Sequence, residues 1–120
     1  ERYIEFLKSK QQKDPNSVVH LYEDKKIIGQ LEMGAFKDDP KIGYVTRYYL
    51  VPEKRGKGYS AILDMHATQY LRGQNFSQAR LSVSPTNTRA IKFYEKLGWI
   101  DIGPRPSHPE VRLMQKRLLP

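Results

Sequence analysis

The hydrophobic pattern of the sequence changes at one point, and this change restricts the folds that the chain can adopt. Up to Val51 apolar residues recur at alternating positions, as in strands, whereas from Tyr59 they recur every three to four positions, as in a helix. The segment between the two patterns reads PEKRGKGYS over residues 52–60 and contains two glycines and three basic residues. A strand, a glycine-containing turn and a helix in succession predict a fold that combines a sheet with helices.

Three strands and one short helix are predicted before this point. Residues 18–22 and 27–36 flank the polar turn at 23–26 and indicate an antiparallel hairpin, followed by a turn at 37–41 and a third strand over 42–51. In residues 1–10, Tyr3, Phe6 and Leu7 have helical spacing, which predicts a short helix. One alternating phase of the second strand carries four apolar residues: Ile27, Leu31, Met33 and Ala35.

The second half of the chain predicts a βαβα unit and a final pair of strands. A helix is expected over residues 59–72 with Gly73 as its stop, then a strand over 79–84 and a helix from Thr88, with Asn87 or Thr86 as N-cap and Gly98 at its end. Strands over 99–102 and 111–118 are joined by a proline-rich loop at 103–110. A helix that links two strands predicts parallel pairing, so the class is α+β, or mixed α/β.

Size and composition exclude several classes of protein. A chain of 120 residues is expected to form one domain, residues 1–120, and its apolar stretches are too short to cross a bilayer. No secretory signal is visible, and the absence of cysteine excludes disulfides, thiolate metal sites and cysteine nucleophiles and favours a reducing, cytoplasmic location. The net charge of +8 favours a polyanionic partner, either nucleic acid or a cofactor with several phosphates.

The turn before the middle helix has the features of an anion site. Glycines let the backbone approach a bulky anion, and the first N–H groups of a helix lack partners within the helix. The pattern is Arg55-x-x-Gly58-x-Ser60, with further positive charge on Lys54 and Lys57. It is neither a Walker loop nor the dinucleotide fingerprint, because the required Lys-Ser/Thr pair and third glycine are missing. A solvated basic turn is the alternative interpretation.

A second motif runs from Asn87 to Trp99. It reads Asn87-x-x-Ala90-x-x-Phe93-Tyr94-x-x-x-Gly98-Trp99. Its spacing by itself indicates a helix with one buried face, to which Phe93 belongs. Asn87 could bind an amide-bearing ligand and Tyr94 could donate a proton, although each residue type is more often structural.

In this order and spacing, the two motifs resemble those of the GNAT superfamily of N-acetyltransferases. The first family motif follows a strand ending in Val51-Pro52 and departs only at Ser60, where the family has Gly or Ala; the second is matched throughout. The resemblance extends over residues 18–118 and implies a mostly antiparallel sheet with one parallel, splayed strand pair and flanking helices. Since the chain is predicted to begin with a helix, the resemblance also implies that the first strand and helix of the family are missing, as in a fragment or one domain of a longer protein.

The resemblance implies acetyl-CoA as cosubstrate and no metal. The acyl arm would lie between the splayed strands, and the pyrophosphate would rest on backbone N–H groups at the start of the middle helix. Asn87 would bind the pantetheine arm, while Arg89 and Lys92 would meet the adenosine phosphates. The residues implied in cofactor binding are Tyr49, Leu50, Val51, Arg55, Gly56, Lys57, Gly58, Tyr59, Ser60, Asn87, Arg89, Lys92 and Tyr94.

The implied chemistry is direct transfer of an acetyl group to a primary amine. A strand N–H near Leu50 would stabilise the developing oxyanion, and Tyr94 would protonate the departing thiolate. The third strand contains no acid, so Glu32, His108 and a chain of water molecules are candidates for the base, with His108 favoured because the loop at 103–110 should overhang the acceptor. Arg47 either binds a carboxylate of the acceptor or is an exposed cation. His66 is expected to be a packing residue.

Three functions are therefore compared. The first is an N-acetyltransferase acting on a small-molecule or peptide amine, with the acceptor and a homodimeric state left open. The second is a non-catalytic CoA-binding or regulatory module of the same fold. The third is a basic nucleic-acid-binding domain, which the aromatic residues argue against because they lie in strands and at helix-core spacing rather than in surface stripes. Neither nucleic acid nor a membrane is an expected partner.

Overall fold

The computed structural model describes residues 3–8 and 17–119, and this part of the chain forms one mixed sheet with two α-helices. The sheet order is β1-β2-β3-β4-β5-β7-β6, and every pairing is antiparallel except that of β4 with β5. These findings confirm the predicted α+β class with one parallel pair. The elements are β1 Ile4–Lys8, β2 Ser17–Glu23, β3 Lys26–Phe36, β4 Asp39–Leu50, a 3₁₀ turn at Pro52–Lys54, α1 Tyr59–Gly73, β5 Gln78–Val83, α2 Thr88–Lys96, β6 Ile100–Arg105 and β7 His108–Arg117.

The predicted N-terminal helix is wrong in the described residues, because Ile4–Lys8 forms strand β1. This strand pairs antiparallel with β2, with Ile4 opposite Glu23 and Lys8 opposite Val19. A helix of so few residues is marginal in water, whereas β2 offers a row of backbone hydrogen-bonding groups. The rest of the predicted helix lies outside the described residues. The expectation that the first strand and helix of the family are missing rested on this helix and loses its support.

The hairpin of β2 and β3 is confirmed, although the predicted alternation in β3 fails at its ends. Leu31 and Met33 are fully buried, but Ile27 is 50% exposed and Ala35 is also exposed. The register shifts by one residue at Ile28, which opposes no residue of β2. This extra residue places Ile27 on the face opposite to that of Leu31 and Met33, so a single alternating phase does not run through the strand. The shift after Ala35 comes from extra residues in β4 and leaves the alternation of β3 unchanged.

Two predicted loops are shorter than expected. Strand β4 begins at Asp39 rather than after residue 41, and β6 and β7 extend to Arg105 and His108, leaving a two-residue connection instead of the loop at 103–110. Proline is tolerated on edge strands and near strand starts. Because Pro104 lies in β6, at the edge of the sheet, and Pro109 is the second residue of β7, both prolines fit within strands.

Both helices pack against the main hydrophobic core, on one face of the sheet. Helix α1 buries Leu63, Ala67 and Leu71, and α2 adds half-buried residues such as Ile91 and Tyr94. Helix α1 continues through Gly73, which was predicted as its stop, whereas Gly98, with φ of +98°, follows α2 as expected. A smaller cluster of Phe36, Ile42 and Leu113 lies apart from this core. Neither described helix is long and apolar enough to cross a membrane.

Strands β4 and β5 are paired over only two residue pairs and then diverge. Gly43 lies opposite Ala79 and Tyr44 opposite Arg80, with no further pairs between these two strands. Just beyond this point β4 has a bulge at Thr46, since Glu32 opposes Arg47 and Met33 opposes Val45. The bulge bends the strand, and a slot opens between β4 and β5. The predicted splayed pair is therefore confirmed.

Candidate active site

Two adjoining cavities occupy the slot and bring both sequence motifs together. The larger, of 440 Å³, lies between residues 48–50 of β4, the turn before α1 and one face of α2. The smaller, of 340 Å³, lies between β4 and β5 and includes Thr46, Arg47, Ser82 and Ser84. The residues that line both cavities are Tyr48, Asn87, Ala90 and Tyr94. The two cavities therefore meet at Tyr48 and Tyr94.

The turn at 55–58 presents open backbone to the larger cavity. Gly56 and Gly58 have φ of +73° and +91°, which L side chains rarely adopt, and a Cβ atom at either position would meet nothing within 4 Å. Gly58 is the N-cap of α1 and provides no side-chain cap. The first N–H groups of α1 are therefore left without a side-chain acceptor, beside a space that can hold an anion.

The basic side chains of this turn are partly engaged by the protein. Arg55 donates from Nε to the Leu50 carbonyl at 2.9 Å, and its backbone N–H donates to the Pro52 carbonyl at 3.2 Å. Lys54 Nζ lies 2.5 Å from Glu23, whose carboxylate also accepts from the Tyr59 hydroxyl. Of the predicted cradle, the Arg55 amide is already bonded and the Tyr59 side chain is buried, whereas Lys57 is exposed.

The backbone of Leu50 faces the slot. In an antiparallel ladder, successive residues direct their N–H and C=O groups to opposite sides of the strand. The Val51 N–H donates to the Ile28 carbonyl of β3 at 2.8 Å, so the N–H of Leu50 points away from β3. The Leu50 carbonyl, on the same side, accepts from Arg55. This leaves the Leu50 N–H as a donor toward the slot, while the Val51 N–H is used within the sheet.

The start of α2 lies at the mouth of both cavities. The Asn87 side-chain oxygen accepts from the Ala90 N–H at 3.2 Å and caps the helix, which decides between the two predicted N-caps. Arg89 lines the larger cavity, whereas Lys92 is exposed and lines neither. Of the two cations predicted to bind phosphates, only Arg89 therefore lines a cavity.

A buried carboxylate, which the sequence analysis did not identify, lies behind the two tyrosines. Asp64 of α1 is 2% exposed and accepts on Oδ1 from the Tyr48 hydroxyl at 2.8 Å and from Trp99 Nε1 at 2.9 Å. Its Oδ2 accepts from Lys116 Nζ at 3.1 Å. The signal was present in the sequence, because Asp64 has helical spacing with Ala67 and Leu71, on the buried face of the helix.

This environment keeps both tyrosines protonated. Burial, and next the Asp64 carboxylate, raise the pKa of Tyr94 to about 12. The same two causes raise the pKa of Tyr48 well above its usual range. Near neutral pH each phenol therefore holds its proton, and the neutral Tyr94 side chain lies at both cavities.

The predicted base candidates lie on the margin of the slot or outside it. Glu32 of β3 is 3.4 Å from Arg47, which lines the smaller cavity and is 56% exposed. His108 is the first residue of β7, lies 3.7 Å from Glu110 and lines neither cavity. His66 stacks on Phe6 at 3.9 Å, as expected of a packing residue. Across residues 3–8 and 17–119, no three His, Cys, Asp or Glu side chains are grouped as for a metal ion.

This chain is similar in sequence to known acetyltransferases. The model of the Acetyltransferase (GNAT) family matches residues 1–99. Mycothiol acetyltransferase of Rhodococcus erythropolis is 34% identical over 62 residues, 52% of this chain and 21% of that protein. Mycothiol acetyltransferase of Thermobispora bispora is 36% identical over 61 residues, with 51% and 21% covered. The matched part of this chain thus spans about a fifth of these curated relatives.

Solved structures share the fold at low sequence identity. A PaiA N-acetyltransferase from Thermoplasma acidophilum, in complex with coenzyme A, has a TM-score of 0.72 and 22% identity, with 83% of this chain and 59% of that chain covered. An acetyltransferase from Elizabethkingia anophelis, with acetyl-CoA bound, has a TM-score of 0.82 and 8% identity, with 96% and 98% covered.

Proposed function

The chain belongs to the GNAT family of acetyltransferases, and on this premise we propose that it transfers an acetyl group from acetyl-CoA directly to a primary amine. The observation that carries the proposal is the slot between β4 and β5, which joins the turn before α1 to Tyr94. A thioester arm could enter this slot as an additional strand, between a backbone donor and an acid.

The residues around the larger cavity fit the cosubstrate. Its volume of 440 Å³ is within the usual range for small-molecule sites. Backbone amides of residues 56–60 would hold the pyrophosphate, because the positive end of α1 and the open turn favour an anion there. Arg89 would contact a further phosphate, and the Asn87 side chain would bind an amide of the pantetheine arm. Acetyl-CoA, when bound, supplies the activated acyl group.

Two groups of the protein would act on that acyl group. The Leu50 N–H would donate to the carbonyl oxygen as the amine nitrogen attacks the carbonyl carbon, which stabilises the charge that develops there. Tyr94 would hold its proton until the carbon–sulfur bond breaks and would then give it to the sulfur. The proton released by the amine would leave through water to Glu32 or His108, and Glu32→Gln and His108→Ala distinguish these two routes.

The smaller cavity is the proposed site of the acceptor. Hydroxyls of Thr46, Ser82 and Ser84 and the guanidinium of Arg47 surround it, which suits a polar acceptor. Two relatives bear the name mycothiol acetyltransferase, which supports a small-molecule acceptor. A peptide amine is the other acceptor class.

Thiol release with a panel of amines tests the proposal, together with calorimetric titration of coenzyme A. Tyr94→Phe should lower kcat by about 10² to 10⁴ while the Kd for coenzyme A changes little, because the ring is retained. Tyr22→Phe, which removes a hydroxyl outside both cavities, is the matched control. Saturable binding with no release from any amine would indicate a non-catalytic module instead, and absence of binding would refute the cosubstrate.

A further inference from the structure

We propose that Asp64 is a positioning residue for Tyr94, because its carboxylate holds the two aromatic rings between which the Tyr94 ring packs. This inference rests on the proposed role of Tyr94 as the proton donor. Asp64 itself lines neither cavity, so it would act only through its neighbours.

The Asp64 carboxylate is held by donors from separate parts of the fold. The Tyr48 hydroxyl comes from β4, the Trp99 N–H from the residue that precedes β6, and the Lys116 ammonium from β7. A buried carboxylate is costly unless it is paired and hydrogen-bonded, and here three donors satisfy it. Their distances of 2.8, 2.9 and 3.1 Å fix the carboxylate relative to β4, β7 and the residue before β6.

The two rings bonded to Asp64 Oδ1 are the walls of the Tyr94 position. The Tyr94 ring centroid lies 5.5 Å from that of Tyr48 and 6.3 Å from that of Trp99, with interplanar angles of 48° and 69°. A single oxygen atom therefore links the polar ends of both neighbours. If this link is lost, Tyr48 and Trp99 are each free to change orientation, and the space for the Tyr94 ring changes with them.

Helix α2 holds the Tyr94 ring only through half-buried side chains. It is nine residues long and contains no fully buried residue, and it packs on the core through Ala90, Ile91 and Tyr94 itself. The rings beside Tyr94 therefore contribute to the orientation of its ring. Position matters in this site because a displacement of about 1 Å in a catalytic group can cost about 10²-fold in rate.

Net stability alone does not account for this arrangement. Desolvation offsets much of the attraction in a buried ion pair, and well-packed apolar residues often serve as well. The Asp64–Lys116 pair lies directly behind the two tyrosines that line both cavities. Its location thus supports a role in orienting the site.

A double-mutant cycle of Asp64→Asn and Tyr94→Phe tests the inference. Asp64→Asn keeps the size of the side chain but has one acceptor oxygen instead of two, so it cannot accept from Lys116 and from both rings at once. We expect it to lower kcat by roughly 10-fold to 100-fold with little change in the KM for acetyl-CoA, and to have no further effect in the Tyr94→Phe background. An equal fold-loss in both backgrounds, or no loss in either, would overturn the proposal.

Asp101→Asn is the matched control, since Asp101 pairs with Arg112 outside both cavities. It should leave kcat unchanged. If Asp64→Asn alone fails to fold, the variant that also carries Lys116→Gln, which removes both charges of the pair, takes its place in the cycle.

Two spectroscopic readouts separate this inference from the proposed function. Trp99 is the single tryptophan of the chain, so its emission reports the loss of the Asp64 bond directly. NMR of ring-labelled tyrosine, with Tyr94 assigned from Tyr94→Phe, should show an altered Tyr94 environment in Asp64→Asn. An unchanged Tyr94 signal would refute positioning even if Tyr94 is the acid. A changed signal in a protein without transferase activity would support positioning and refute the acid role.

Discussion

Burial and one neighbouring charge determine the protonation state of the Tyr94 side chain in the slot. Tyr94 lies between Tyr48 and Trp99 and near the Asp64 carboxylate, and both burial and this carboxylate disfavour the phenolate. The result is a phenol that remains protonated over the whole neutral range. If Tyr94 is the proposed acid, it enters each turnover with its proton in place.

We therefore expect the pH dependence of the enzyme to lack an alkaline step near the ordinary tyrosine pKa. If Tyr94 is the acid, kcat should fall only as pH approaches its pKa of about 12. The unfolded chain releases this proton at about pH 10. Since the folded pKa is the higher one, stability should be lost as pH rises from about 10 through about 12, and Tyr94→Phe should weaken this loss. Rate profiles and denaturant titrations check both, and a Tyr94-dependent step in kcat near pH 10 would contradict the assignment.

The turn that joins β4 to α1 is the proposed anion site, which its backbone would form. Its positive-φ glycines let the chain pass from the end of β4 into a helix whose first amides are uncapped by side chains. Lys54 and Arg55 contact Glu23 and Leu50 and so fix the turn on the sheet. The geometry of this element thus depends on both its glycines and its basic residues.

Gly58→Ala should damage this element specifically. Gly58 has φ of +91°. A Cβ atom at this position should therefore lower the free energy of unfolding by about 1–2 kcal/mol or displace the backbone amides of the turn. The Kd for coenzyme A should consequently rise. Gly73→Ala is the control, because Gly73 is the last residue of α1 and its Cβ would meet nothing within 4 Å. It should be neutral or stabilising by up to about 1 kcal/mol. Equal coenzyme A affinities in the two variants would argue against a phosphate site at this turn.

The net charge of the whole molecule favours the approach of an anionic ligand. The formal net charge is +8, and the charges lie on both helices and on most strands. Their summed field acts over distances beyond direct contact and raises the rate at which anions arrive. The sign of this field agrees with a cosubstrate that carries several phosphates.

The affinity for coenzyme A should consequently fall as salt is added. Between about 0.05 M and about 0.5 M NaCl we expect roughly a tenfold rise in Kd, since added salt shortens the screening length. Pantetheine, which lacks the phosphates, is the control and should show little change. Calorimetric titrations of both ligands give the comparison, and a Kd for coenzyme A that is independent of salt would show that the field contributes nothing to binding.

Local sequence patterns were enough to predict the features that depend on residues close together along the chain. The change of period at residues 52–60 predicted the junction of β4 and α1, and the second motif located α2 to within a residue. Asn87 and Gly98 marked the ends of α2 because caps depend on local backbone geometry. The two motifs were also enough to indicate the GNAT family, which the family model confirms.

The features that depend on partners distant along the chain could be identified only in the folded structure. Residues Ile4–Lys8 are a strand because β2 pairs with them, and β3 changes face at its bulge at Ile28. Asp64 was not identified from the sequence, because its partners lie 16, 35 and 52 positions away along the chain. Local patterns report the preference of a segment for helix or strand, whereas pairing, register and buried polar networks follow from which segments meet when the chain folds.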